Sequence, residues 1–348
     1  MNRQFPALRG IAIFLVVINH SIVLSLQSIS QYGLQKTPLL EKNILLMIKE
    51  IGVLAVPIFL FLAGSFMMYS LTGKTIKEGF HQIIPALKNA IIPYIFWSTI
   101  YYFLVLILNN ESYSIFGYGK NFLVGYPYNF VPILVFFILI SPFLGWLSKH
   151  FPLLLIAFIC LYQIALVNIQ LPGVLGFQFP GWMNIISPPV LSLPLTLWAI
   201  FYPFGMIYIQ NSEKFKTFFK PLLILFGAGS FGLYIFAALK EIEVIKFQLA
   251  EWLFPIFTIV LLPFINRKSI PFLPFFENLG KRSYGIYFMN LILIKFLIYL
   301  SANFFPIIYK VETLLVILLA CITIFSTTKL MAAIEKGPTR KFYRFIFG

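Results

Sequence analysis

Arg9 and His20 stand eleven positions apart in an otherwise apolar stretch near the start of the chain. At about 100° per residue that interval is about three turns plus 20°, so on a helix both side chains share one face, about 16 Å apart. An imidazole with a pKa near neutrality can take a proton from a weak nucleophile such as a hydroxyl. A guanidinium can hold an anionic group through paired hydrogen bonds. The spacing alone leaves a plainer account open, with His20 as an interhelical hydrogen bond and Arg9 as a charge anchor. Other polar residues intrude into apolar runs and extend the candidate list. Glu50 precedes the run 51–68, which carries Ser65, and Lys88 opens the run 88–108. Ser283, Tyr287 and Asn290, spaced at four and three, form a stripe that could face Arg9 and His20 across a bundle or simply pin two helices together. Lys295 lies beyond them and could snorkel outward.

These residues need elements that hold them in hydrocarbon. Of 348 residues, 60% are apolar and only 11% are charged, and the mean hydropathy is +0.92. Soluble domains average about 25% charged residues, so the chain is an integral membrane protein. Continuous apolar runs such as 53–68 and 314–325 lack the period-two alternation of a membrane barrel. The expectation is therefore all-α: a polytopic membrane helix bundle of about ten transmembrane helices, forming a single domain over 1–348. Windows of about 19 residues place the spans near 5–27, 44–70, 88–108, 128–148, 151–170, 190–210, 219–239, 249–265, 283–302 and 312–334.

The net charge of +15 is not a nucleic-acid signal, because no basic soluble module carries it. Instead the cations sort by side. Of 26 Lys and Arg residues, 18 fall on the side of the N-terminus, including Arg3, Arg9 and Lys88, and 7 on the other, including Lys36, with Lys295 inside a span. The positive-inside rule then makes both termini cytoplasmic and puts His20 beyond the midplane from Arg9. The run 11–18 could be the core of a signal peptide, but Asn19 and His20 interrupt it and no cleavage site follows, so a retained span is expected. Cys160 and Cys321 lie in apolar runs and read as buried thiols. With three histidines and no aspartate, no cluster has metal-ligand spacing. The outer connections 109–127 and 171–189 are rich in aromatics, and either re-enter the membrane or form an interfacial belt.

Several segments together resemble one known family. Phe5-Pro6-Ala7-Leu8-Arg9-Gly10 through Asn19-His20 resembles the first helix of the acyltransferase-3 family, membrane acyltransferases marked by an arginine and a histidine with ten residues between them. Ala55-Val56-Pro57-Ile58-Phe59-Leu60-Phe61-Leu62-Ala63-Gly64 is similar to its second-span segment, and Ile92-Pro93-Tyr94-Ile95-Phe96-Trp97-Ser98 to the start of its third. Phe130-Val131-Pro132 through Ser141-Pro142, Ser283-Tyr284-Gly285-Ile286-Tyr287-Phe288, and Glu335-Lys336 with Pro338 continue the likeness in order to the C-terminus.

The resemblance implies transfer of an acyl group, usually acetyl, from a cytoplasmic acyl-CoA to a hydroxyl of a cell-surface carbohydrate or lipid-linked saccharide. The expected setting is a bacterial inner membrane among its lipids, with no nucleic-acid partner. Acetyl-CoA would be a co-substrate, with no permanently bound cofactor. His20 would be the general base or an acyl carrier, and Arg9, with Lys88, would hold the donor. Asn19, Ser65 or Asn290 would stabilise the oxyanion, while Glu50, Ser283 and Tyr287 complete the substrate-binding candidates. The chain also departs from the family. Its basic pair before the third span is reduced to Lys88, and the polar residue after the Ser283–Phe288 element, commonly histidine, is Asn290. Ala63-Gly64 replaces Ser-Gly, and Asn129-Phe130 replaces Trp-Phe. The alternative function is a glycolipid or polysaccharide transporter of the same fold, passing an anionic substrate along Arg9, Lys88, Glu50 and His20. The sequence shows no internal repeat with matched broken helices to favour it. Oligomeric state is not legible.

Overall fold

The computed structural model describes residues 4–34 and 37–348; Arg3 and Lys36 of the charge map lie outside the described residues. All regular elements among the described residues are helical. Helix α1 (Phe5–Gln31) is followed by α2 (Leu39–Ile51), which runs through a tight turn into α3 (Ala55–Leu71). Then come α4 (Ile76–Asn109), the short α5 (Ile115–Val124), α6 (Phe130–His150) and α7 (Pro152–Gln170). The second half holds α8 (Ser192–Trp198), α9 (Phe201–Gln210), α10 (Ser212–Phe219), α11 (Leu223–Glu241) and α12 (Leu249–Leu261). Helices α13 (Leu273–Phe304), α14 (Glu312–Lys336) and α15 (Tyr343–Phe347) complete the chain.

Eight helices are long and apolar enough to cross a membrane, counting α2–α3 and α10–α11 as single spans. The remaining expected spans exist in altered form. Positions 190–210 make the pair α8 and α9, bent by 45°. Pro203 explains the break: it offers no N–H to the carbonyl of Ala199 and its ring crowds that carbonyl. Gln163 of α7 repairs the exposed backbone, its amide donating to the Leu197 carbonyl at 3.2 Å and its Oε1 accepting from the Ile200 N–H at 3.1 Å. Positions 249–265 form a shorter apolar helix, Leu249–Phe264, about 24 Å long against about 30 Å of hydrocarbon.

We call the end of the bundle where α1 begins the inner end. Helices α1 and α13 run parallel from it, so close together that a Cβ on Gly10 would lie 1.8 Å from the Phe276 carbonyl oxygen, and one on Gly280 equally close to that of Pro6. Helices α3 and α9 cross in the same way at Gly64 and Gly205. Between helices in lipid there is little hydrophobic driving force, and backbone approach through small residues supplies the packing instead. The final segment returns to the inner end. Trp97 of α4 donates to the Ile346 carbonyl at 2.7 Å, and Phe347 is 2% exposed and packs on Gly285 of α13.

The aromatic connection 109–127 re-enters the bundle. Tyr113 and Tyr118 lie against Tyr102 near the outer part of α4. The Phe122 carbonyl, by contrast, accepts from the Tyr94 hydroxyl at 2.7 Å. Tyr94 is about 12 Å further down the same helix. The chain then turns so that Tyr128 donates to the Phe288 carbonyl at 2.7 Å, halfway along α13. Helix α6 thus starts inside the bundle, with Asn129 and Phe130 at its tip.

Candidate active site

The close α1–α13 crossing sets two polar stripes against each other. Arg9 Nη2 donates to Ser283 Oγ at 2.9 Å, and the His20 Nδ1 to Asn290 Oδ1 distance is 2.6 Å. The amide of Asn290 is oriented by its own helix, since Nδ2 donates to the carbonyls of Ile286 and Tyr287. Its Oδ1 therefore accepts, Nδ1 of His20 carries the proton, and Nε2 is left as the basic nitrogen. Asparagine at position 290 holds a histidine in one tautomer without adding a second titrating ring.

Two cavities flank this seam. The inner one, about 150 Å³, is lined by Arg9, Phe59, Leu62, Ala63, Phe66, Phe130, Leu134, Ser283, Tyr284 and Tyr287. Arg9 sits 6.0 Å from the centre of the Phe66 ring, and among the described residues no carboxylate pairs with it. A guanidinium held among aromatic walls without a counter-ion is a site that attracts an anion. The outer cavity, about 260 Å³, is lined by Val16, Asn19, His20, Gly52, Val53, Ala55, Val56, Pro57, Asn129, Leu197, Trp198, Glu251, Trp252 and Pro255.

The boundary between the cavities falls within single turns. Val56 and Asn129 line the outer one, whereas Phe59 and Phe130 line the inner. The rings of Phe59 and Phe130 are 5.9 Å apart, and those of Phe130 and Tyr287 are 5.7 Å apart. This aromatic layer stands between the guanidinium and the imidazole.

The other candidates from the sequence are dispersed. Asn19 reaches the outer cavity wall, but its amide donates to the Lys49 carbonyl at 3.1 Å, where α2 breaks into α3. Ser65 is fully buried and bonds the Gly205 carbonyl at 3.2 Å, serving the α3–α9 crossing and lining neither cavity. Lys88 is exposed on α4 and also lines neither cavity. Glu50 is 2% exposed on α2, and its Oε1 has no hydrogen-bond partner. Lys295 lies 5.3 Å from the centre of the Tyr101 ring, on another face of α13. Cys160 is half-buried and Cys321 exposed, so the burial expected of the second thiol does not hold within the isolated chain. No group of His, Cys or Glu among the described residues could hold a metal ion.

Sequence reasoning missed Asn129, Trp198, Glu251 and Trp252, all on the outer wall. An acid and a tryptophan together at the mouth of the short span 249–265 were the available signal.

The sequence model of one family, described as an acyltransferase domain, matches residues 2–331. No curated relative and no solved structure matches the chain. The family match covers nearly the whole helical bundle, including both polar stripes and both cavities, and the chain belongs to the acyltransferase-3 family of membrane acyltransferases.

Proposed function

We propose that this acyltransferase moves an acyl group, acetyl in the first instance, from acyl-CoA at the inner cavity to a carbohydrate hydroxyl at the outer cavity, with His20 as general base. The observation that carries this reading is the His20–Asn290 contact at 2.6 Å beside the outer cavity. A hydroxyl is a poor nucleophile at neutral pH. Nε2 of His20 takes its proton as the oxygen attacks the thioester carbonyl, and the resulting imidazolium returns that proton to the departing thiolate. The atoms balance with no further co-reactant: an ester and a free thiol replace a thioester and an alcohol.

Arg9 holds an anionic part of the donor on the inner side, which its lack of a carboxylate partner supports. Ser283 fixes the guanidinium against α13, and Tyr287 forms part of the wall past which the acyl arm must reach. Lys88 is exposed on α4 and lines neither cavity, so any hold it has on the donor is made outside them.

The test uses membranes containing the full chain or its H20A variant, supplied with labelled acetyl-CoA and carbohydrate acceptors. A general base contributes about 10²–10⁴ in rate, so transfer in H20A should fall by that factor. Undiminished transfer in H20A would overturn the mechanism. Glycan movement across the membrane with no label transferred from any acyl donor would instead establish the transporter reading.

A further inference from the structure

We infer that the outer cavity is an acceptor site selective by charge: it takes one neutral or amine-bearing sugar ring and rejects a ring carrying a carboxylate. This rests on the acyl-transfer reading above and adds the chemical class of the acceptor. Six residues carry the argument: His20, Asn19, Asn129, Trp198, Glu251 and Trp252, all on the cavity wall.

The first observation is the sign of the charge. Among the described residues no lysine or arginine lines the cavity, and Glu251 is the only one on its wall with an acidic side chain. The two cations beside Glu251 and Glu50 are already engaged. Lys240 is paired with Glu251 through Oε2 at 2.6 Å, and Lys49 with Glu241 at 2.5 Å. Glu50 adds a third carboxylate to this group, its charged neighbours being Glu251, Glu241, Lys49 and Lys240. Each ammonium is matched by one carboxylate and Glu50 is buried without a cation of its own, so a uronate entering the cavity would meet no free counter-ion. A carboxylate that leaves water without a partner is penalised far more than a hydroxyl or a paired ammonium.

The second observation is unfilled hydrogen-bonding capacity. Only Oε2 of Glu251 is bonded, to Lys240, so Oε1 remains as an acceptor for a hydroxyl or an ammonium. With the amide side chains of Asn19 and Asn129 and the two indoles of Trp198 and Trp252 on the same wall, the lining suits a ring with hydroxyls around its edge and C–H groups on its faces. The third observation is size: about 260 Å³ lies just under the range of about 300–1,000 Å³ typical of small-molecule sites. One ring fits, and any further saccharide stays outside.

The experiment measures binding and transfer separately on the purified full-length chain. Three probes share one ring: a neutral hexose glycoside, the corresponding 2-amino sugar and the corresponding uronic acid. Quenching of tryptophan fluorescence reports binding, and labelled acetyl-CoA reports transfer. The neutral and amino rings should bind at least about tenfold more tightly than the uronic acid, a difference of about 1.4 kcal/mol. E251Q should erase most of that discrimination. W252A, which removes an aromatic side chain from the cavity wall, should weaken all three probes by a similar factor. Equal or tighter binding of the uronic acid, an unchanged ranking in E251Q, or no binding of any ring would each overturn the inference. The wild-type ranking decides the matter alone if a variant fails to accumulate. Binding in the expected order without transfer would leave the acceptor site standing and sink the role of His20; transfer indifferent to acceptor charge would do the reverse.

Discussion

The inner and outer cavities share helices α1, α3 and the tip of α6, yet they are opposite in chemistry. The inner one presents an unpaired guanidinium among aromatic rings. The outer one presents amides, two indoles and a carboxylate whose cation is already taken. An anionic substrate passing through both would meet a guanidinium in the first and no open counter-ion in the second. Two substrates of different character, each approaching from its own end, meet only complementary surroundings. That asymmetry is what a group-transfer enzyme needs, and the imidazole of His20 sits where the two halves adjoin.

The largest test of the comparison is Arg9. Charge-assisted hydrogen bonds are worth about 1.5–3 kcal/mol, so R9M should lower kcat/KM for acyl-CoA by about ten- to a hundredfold. KM for the acceptor should stay within about twofold, because Arg9 lines only the inner cavity. R9K should recover part of the loss, since a point charge replaces a fork. Steady-state kinetics with each substrate varied in turn separates the outcomes. A matched rise in acceptor KM would show that the two cavities are one.

How much of this was legible before the structure depends on the range of the interaction. The Arg9–His20 stripe and the Ser283–Tyr287–Asn290 stripe are local periodicities, and helical geometry was enough to put each on one face. The eight full-length spans followed from apolar runs for the same reason. The bend between α8 and α9 was less accessible, because its signal was only Pro203 while its repair comes from Gln163, nearly forty residues earlier. The outer wall was least legible. Asn129 arrives at the end of a re-entrant segment, and Glu251 and Trp252 at the start of a helix too short to look like a full span. No window on the sequence joins those positions to His20. Ser65 shows the opposite error, since a polar residue in a span looked chemical but serves a helix crossing.

The next effect in size concerns the seam itself. Asn290 orients His20 and touches neither cavity, so N290A leaves a ring free to rotate and to adopt the wrong tautomer. The expected result is a fall in kcat of about tenfold, with KM for donor and acceptor nearly constant. N290H restores a ring nitrogen to the contact and should recover more activity than N290A. A fall confined to KM for either substrate would place Asn290 in that substrate's site and redraw the boundary between the cavities.

The smallest expected effect tests whether the outer cavity depends on the broken span behind it. Trp198 ends α8 at the break, and the Leu197 carbonyl and Ile200 N–H beside it are satisfied only through Gln163. Replacing Gln163 with leucine leaves both backbone groups without partners in a buried place, at about 1–3 kcal/mol each when nothing relaxes. The thermal unfolding midpoint should drop by several degrees, by about 2–4 °C per kcal/mol in a chain this large. Because the indole of Trp198 hangs from that turn, acceptor KM should rise by about twofold while donor KM is unchanged. If Q163L instead raised the donor KM, the strain would be reaching Arg9 through α3 and α9. The separation of the two half-sites would then be a matter of packing rather than of chemistry.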